Sequence, residues 1–505
     1  MKIPDEQNEP VQKPESVKVL RLWQMIFLGK GTFTRQLIHA FISIALRLFF
    51  RRIEAVSVER VPKDGAIIFV LNHPNGLVDP ALVFVSLSRR VSFLAKSTLY
   101  ANPIADFFLR TFEILPVYRR IDAGEDSSKN LATFGNCHEL LAQGRCIAIF
   151  PEGISHDETK LQPIKTGAAR IALGALGVNK EVPSSKFQVS SQEQFSPNDE
   201  AQTTNELREK GLKIMAVGLY YTSKTAFRSE ALIRYGEMFE VEPVALDENG
   251  EPPREAVLEL TDKIEMALRD VTLNLESQSE LDAILKAEAL FSSVYKNLLF
   301  KQTLTQTFQR LQDLAGKYKL LGENEPEKMR RLNEKITRFE SALKTSGVTG
   351  ESLSVLQHPT WYVFRYLILR IVFLILLAPL AVLGAIVHSP AYVFSNLLAL
   401  MFKTHGADAA GSSSKILAAC LFMPLTWLVT ALIILYFFGW QFALASIPIT
   451  ILCGYVALRS SETLIDMRVW IKSAWLLLRG RALFLRLLVQ RETLQKEIGE
   501  LIEND

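Results

Sequence analysis

An α/β domain, then a helical arm, then C-terminal transmembrane helices: this is the fold class the sequence predicts, and three observations carry it. Two apolar runs of strand length, Ala66-Ile67-Ile68-Phe69-Val70-Leu71 and Cys146-Ile147-Ala148-Ile149-Phe150, each give way to a polar, glycine-containing turn. From Pro252 to about Gly347 the pattern is that of charged helices, as in Arg254-Glu255-Ala256-Val257-Leu258-Glu259-Leu260. Ile416 to Leu458 then runs 43 residues without a formal charge, where about twenty suffice to cross a bilayer core as a helix.

Composition agrees. The chain has 505 residues, 49% of them hydrophobic, with a mean hydropathy of +0.15, above a typical soluble chain and fitting an integral membrane protein. A formal net charge of +3 is too small to argue for nucleic acid as a partner. Cys137, Cys146, Cys420 and Cys453 are widely separated, showing neither zinc spacing nor a disulfide framework, which is compatible with a reducing compartment. Met1 to Pro14 is polar and acidic and lacks the apolar core of a cleaved secretory signal, so the α/β domain is expected to face the cytoplasm. The expected organisation is an interfacial membrane region over 1–54, the α/β domain over 55–250, a helical arm over 251–350 and a hydrophobic membrane region with a basic tail over 351–505.

The first element is the apolar stretch Leu37 to Phe50, closed by Arg51 and Arg52. Apolar bulk with a cationic edge suits a helix lying among lipid headgroups; a core helix of the domain is the alternative. The strand Ala66–Leu71 follows and leads into Asn72-His73-Pro74-Asn75-Gly76-Leu77-Val78-Asp79-Pro80, where Pro80 and the apolar run after it mark the start of a helix. His73 thus falls at the carboxyl end of a strand. Pro74, Asn75 and Gly76 favour a turn that folds the Asp79 carboxylate back onto the imidazole. Such a pair is a general base with its orienter: imidazole titrates near neutrality, and the carboxylate fixes its tautomer and stabilises the imidazolium. Simple capping by both residues is one alternative. A metal pair is another, but His39, His138, His156, His358, His388 and His405 supply no cluster of further ligands, so no metal is expected.

Ile114-Leu115-Pro116-Val117-Tyr118-Arg119-Arg120 reads as a short strand ending in two guanidinium groups, whose planar forks suit phosphate; a solvated basic strand end is the alternative. The strand Cys146–Phe150 ends in Pro151-Glu152-Gly153. Two polar motifs after two apolar strands gather at one carboxyl edge, where open α/β sheets place their sites. Gly153 admits backbone amides close to an anion, and Glu152 can bind a substrate hydroxyl or a cationic neighbour. Downstream, Leu161 to Arg170 leads into an alanine-rich helix; Lys165 is placed to supplement Arg119, while Thr166 and Gly167 suit a helix entry that attracts anions or is merely capped. Residues 181–210 are rich in Ser, Gln, Asn and Glu and read as a mobile insertion.

These motifs, taken in order with Ile214-Met215-Ala216-Val217-Gly218-Leu219-Tyr220-Tyr221, resemble the four ordered motifs of the glycerol-phosphate and lysophosphatidic acid acyltransferase superfamily over residues 55 to 240. The closer likeness is to the branch with fungal glycerol-3-phosphate/dihydroxyacetone-phosphate acyltransferases and related bacterial proteins. Five residues separate His73 from Asp79, the longer turn of that branch, where the commonest superfamily pattern has four; Glu113 stands where many members carry glycine. The resemblance implies a mixed sheet flanked by helices and a membrane-bound acyltransferase of phospholipid biosynthesis. Its acceptor would be glycerol-3-phosphate or dihydroxyacetone phosphate, with an acyl thioester of coenzyme A or acyl carrier protein as co-substrate and no cofactor. Lysophosphatidic acid or another lysophospholipid is the alternative acceptor, and a non-catalytic lipid-binding scaffold the alternative of another class. By resemblance His73 is the general base, Asp79 its partner, Arg119 a phosphate ligand, and Glu152 and Gly153 part of the acceptor site. No phosphate-binding loop or dinucleotide fingerprint supports a kinase or dehydrogenase.

The arm from Pro252 is expected to pack on the domain, to mediate a homodimer or to reach toward the membrane segments. In the membrane region, Phe438-Gly439-Trp440-Gln441 offers a hairpin turn between two spans of the long apolar run. Ile371 to Val387, 17 uncharged residues interrupted by Pro379, is at the short end for a complete span and is expected either to cross or to re-enter or lie at the interface, leaving two or three crossings open. Basic residues on both sides, Arg365 and Arg370 before and Arg459, Arg468, Lys472, Arg479, Arg481 and Arg486 after, favour an even number of crossings.

Overall fold

The computed structural model describes residues 17–28, 32–119, 127–177, 207, 211–295, 303–346, 360–403, 410–479 and 481–503. Arg120 and nearly all of the polar insertion over 181–210 lie outside them. The chain divides into two units, Met1–His156 with Leu161–Thr272, and Asp157–Lys160 with Leu273–Asp505.

The first unit comprises β1 (Val17–Val19), α1 (Leu22–Leu28), α2 (Phe33–Phe49), β2 (Arg52–Val56), β3 (Ile67–Leu71), α3 (Val78–Ser86), β4 (Val91–Lys96), α4 (Pro103–Thr111), β5 (Leu115–Val117), α5 (Asn130–Ala142), β6 (Cys146–Ile149), α6 (Gly167–Leu176), β7 (Lys213–Tyr221), β8 (Glu230–Glu240) and α7 (Arg254–Val271). The strands form one mixed sheet in the order β1-β2-β8-β7-β3-β6-β4-β5. β3 pairs in parallel with β6 and β7, and β4 in parallel with β5 and β6, so these five strands end at one edge. β3 and β6 are buried along their whole length. Both faces are covered, which is why these strands read as unbroken apolar runs rather than alternating ones. Ile68, Val70, Ile147, Ile149, Ile214 and Ala216 share a core with Leu141 of α5, Ile171 and Leu173 of α6, and Leu260, Ile264 and Leu268 of α7.

That core moves a boundary. The sequence reading began the helical arm at 251, but α7 closes the sheet, so the first unit runs to Thr272. The helix is charged on one face and apolar on the other, and only the packing says where its apolar face goes. Gly218 of β7 makes the approach possible: a Cβ there would lie 1.9 Å from the Val271 carbonyl oxygen.

The amino-terminal helix has two unlike faces. One face of α2 buries Arg35, His39, Ser43, Leu46 and Phe49, while Phe33, Leu37, Phe41, Ile44 and Leu48 are exposed at helical spacing. The exposed stripe suits a membrane interface and the buried one belongs to the domain.

The second unit contains α8 (Gln278–Tyr295), α9 (Leu304–Asn324), α10 (Pro326–Ser346), α11 (Thr360–Lys403), α12 (Ala410–Phe438), α13 (Trp440–Arg479) and α14 (Arg481–Glu503). Leu367–Leu398, Ser414–Phe438 and Trp440–Ile465 are each long and apolar enough to cross a membrane. Gly439, at φ +88°, makes the expected break between the second and third. The first differs from the sequence reading: α11 is one continuous helix through Pro379 and Pro390, not a short interrupted segment. Packing explains it, since neighbouring helices stabilise a proline-containing apolar helix; Gly384 lies so close to α13 that a Cβ there would meet the Cys453 carbonyl oxygen at 2.1 Å. The tail also differs, because α14 returns to the arm: Phe484, Leu487, Leu494 and Ile498 are buried, and Lys335 of α10 pairs with Glu497 at 2.6 Å.

Candidate active site

Three strands and the turns after them build the site. β3 delivers His73, β6 delivers Glu152 and Gly153, and β7 ends in Tyr221, all at the carboxyl edge set by the parallel register Val70↔Ile149 and Leu71↔Val217. Asn72 joins the first turn to β7, donating from Nδ2 to the Leu219 carbonyl at 3.1 Å and accepting from the Leu219 amide at 2.8 Å. Gly76, at φ +46°, lets the turn close.

The turn does what its composition implies. His73 Nδ1 lies 2.8 Å from Asp79 Oδ2. With Nδ1 protonated and donating to the carboxylate, the lone pair on Nε2 is free to take a proton. Asp79 is fully buried and His73 partly exposed, with side-chain exposures of 0% and 19%. The buried charge is well satisfied: Oδ2 also accepts from the Asn75 amide at 2.7 Å, Oδ1 accepts from the Tyr221 hydroxyl at 2.5 Å, and the carboxylate stands in the first turn of α3, where the helix dipole favours negative charge. Phe150 stacks on the His73 ring, centroids 4.0 Å apart, and restricts its rotation.

Glu152 sits under the turn rather than in open space. Its Oε1 accepts from the His73 amide at 3.0 Å. Oε2 accepts from the Gln162 amide at 2.8 Å and pairs with His156 Nε2. The second loop then grips the first, as the His156 amide donates to the His73 carbonyl at 3.2 Å and the Gly76 amide to Ser155 Oγ at 2.9 Å.

Cationic groups gather at Gly153. Arg119 Nη1 donates to its carbonyl at 2.8 Å, and Asn130 brackets Tyr118 through both backbone groups, holding the segment that carries Arg119. Lys165 is anchored by its amide on the Pro151 carbonyl at 2.9 Å. Its Nζ comes so near Gly153 that a Cβ there would lie 2.5 Å away, and Gly153 adopts φ +71°. Arg170 bonds Glu251 on the exposed side of the unit.

Thus His73, Asp79, Glu152, Gly153, Arg119 and Lys165 lie on one set of adjoining turns. Sequence reasoning missed three further residues: Tyr221, His156 four residues after Glu152, and Lys224, whose Nζ donates to the His156 carbonyl at 3.2 Å and whose carbonyl accepts from Asn75 Nδ2 at 3.4 Å. Among the described residues, no three His, Cys, Asp or Glu side chains converge as metal ligands.

Residues 52–184 match the family model described as Acyltransferase. Residues 288–504 match that of the glycerol-3-phosphate acyltransferase 2 C-terminal domain. Glycerol-3-phosphate O-acyltransferase 1 of Saccharomyces cerevisiae is 25% identical across 77% of this chain, which spans 59% of that protein's length. An uncharacterized acyltransferase of Schizosaccharomyces pombe is 22% identical across 91% of this chain and 79% of its own. A chloroplastic 1-acyl-sn-glycerol-3-phosphate acyltransferase of Brassica napus is 26% identical across 26% of this chain and 36% of its own.

Proposed function

We infer that this chain, a member of the glycerol-phosphate and lysophosphatidic acid acyltransferase superfamily, moves a fatty acyl group from an acyl thioester onto glycerol-3-phosphate or dihydroxyacetone phosphate at a membrane. The pairing of a partly exposed His73 with the buried Asp79, and the Arg119 and Lys165 cations at the adjoining Gly153 turn, carry the reading. Nε2 of His73 takes the proton of the acceptor hydroxyl as its oxygen attacks the thioester carbonyl; the tetrahedral oxyanion collapses, the carbon–sulfur bond breaks, and the departing thiolate receives the proton from the imidazolium. Asp79 stabilises that imidazolium. Arg119 and Lys165 hold the acceptor phosphate. No covalent acyl-enzyme and no cofactor enter, and the donor is a thioester of coenzyme A or acyl carrier protein.

Glycerol phosphate is favoured over lysophosphatidic acid because residues 288–504 match the glycerol-3-phosphate acyltransferase 2 C-terminal domain and the likeness to the yeast glycerol-3-phosphate enzyme covers 77% of the chain, whereas the likeness to the Brassica lysophosphatidic acid enzyme covers 26%. The donor is water-soluble, so the catalytic unit faces the cytoplasm. The test offers purified full-length protein in detergent each acceptor separately, with either donor, beside His73→Ala. Thiol release and lipid product abolished by His73→Ala are expected, with glycerol-3-phosphate or dihydroxyacetone phosphate preferred. Preference for lysophosphatidic acid would transfer the assignment to that acceptor, and no turnover with any pair would leave a lipid-binding scaffold.

A further inference from the structure

Asp79 has two oxygens, and His73 uses only one. The other, Oδ1, accepts a 2.5 Å hydrogen bond from the hydroxyl of Tyr221, the last residue of β7, which stands 142 positions away in the chain. Tyr221 is buried among core side chains, its ring 5.8 Å from that of Phe50. Burial and the neighbouring Asp79 charge hold its phenol well above its ordinary pKa, so it keeps its proton and donates.

We propose that Tyr221 is the third member of the His73–Asp79 relay, a positioning residue whose hydroxyl fixes the Asp79 carboxylate and sets how readily His73 takes up a proton. The chemistry is direct. A donor on Oδ1 draws charge from the carboxylate and so moderates its hold on the imidazolium that forms when His73 acts as base. It also holds the carboxylate plane, since Oδ2 is aimed at both His73 Nδ1 and the Asn75 amide. The other ionisable groups around His73 have partners of their own: Glu152 bonds the His73 amide, His156 pairs with Glu152, Lys224 bonds the His156 carbonyl, and Arg119 bonds the Gly153 carbonyl.

The proposal deepens the acyl-transfer reading and rests on it only for the activity measurement. Tyr221→Phe removes the hydroxyl and keeps the ring. Tyr235→Phe is the control, because Tyr235 is also a buried tyrosine, and its hydroxyl bonds Ser86 rather than Asp79. Two quantities are read on full-length protein: the acid limb of the kcat/KM profile with glycerol-3-phosphate, and the titration of His73 followed by 13C-histidine NMR with His73→Ala assigning the resonance. In Tyr221→Phe both are expected to move upward by about half a pH unit or more, with kcat down roughly tenfold and KM held. Tyr235→Phe is expected to lower the melting temperature while moving neither. Should Tyr221→Phe fail to fold, 3-fluorotyrosine at position 221, a stronger donor of nearly the same shape, is expected to move the titration downward. A His73 titration unmoved by either change would overturn the proposal and leave Tyr221 as core packing. The NMR arm stands even if no acceptor turns over, which separates failure of this proposal from failure of the acyl-transfer reading.

Discussion

At the scale of single residues, Glu152 shows how a motif and its geometry divide the work. The resemblance implies a place in the acceptor site, yet all the carboxylate's bonds run inward, to the amides of His73 and Gln162 and to His156. It fixes the backbone from which His73 projects. Glu152→Gln presents an amide NH2 to groups that are themselves donors, and the side chain is wholly buried. The expected cost is about 1–3 kcal/mol of stability and a fall in kcat with KM nearly unchanged. Steady-state kinetics beside a denaturation curve check this. A large rise in acceptor KM with normal stability would instead make Glu152 an acceptor ligand. His73 and Asp79 were legible in sequence because both lie in one turn. Glu152 was visible as a residue but not in its bonding, and Tyr221 only as a strand end, because each meets its partner across strands that sequence spacing does not relate.

At the scale of elements, legibility followed burial. β3, β6 and β7 announced themselves because a strand covered on both faces must be apolar throughout. α7 was assigned to the arm because an amphipathic helix carries the same signal whatever it docks against. The contact between α5 and α6 was not legible at all, and it holds a titratable group. His138 on α5 meets α6 where Gly174 leaves room, a Cβ there lying 2.9 Å from the imidazole, and burial pushes this imidazole down to about 4. The unfolded chain binds a proton near pH 6.5 that the folded one refuses. Stability is therefore complete above about 6.5 and lost as pH falls toward 4, by roughly 3 kcal/mol from this residue. Melting curves between pH 7 and pH 4 are expected to flatten in His138→Gln, and an unchanged pH dependence in that variant would place the acid sensitivity elsewhere.

At the scale of the whole molecule, three helices of spanning length raise the question of how many cross, and their packing answers it more strictly than their length. Arg370 of α11 bonds Thr463 of α13, and Gly384 faces Cys453, so numbering rises along one helix as it falls along the other. The two are antiparallel, and the chain comes back to the end at which it entered. α14 continues the return: Lys335 pairs with Glu497 and Gln495 Nε2 donates to the Leu290 carbonyl at 2.6 Å, which sets the last helix against the arm that precedes the membrane region. Three full crossings would put arm and last helix on opposite faces of a bilayer and break every one of these contacts. An even number preserves them and agrees with basic residues on both flanks, such as Arg370 and Arg459. We therefore predict that single cysteines at positions 335 and 497, in a chain with Cys137, Cys146, Cys420 and Cys453 replaced, label with a membrane-impermeant maleimide from the same face of sealed vesicles, and that the double cysteine variant cross-links in native membranes. Labelling from opposite faces would mean that α14 does not meet the arm in the membrane and that all three helices cross.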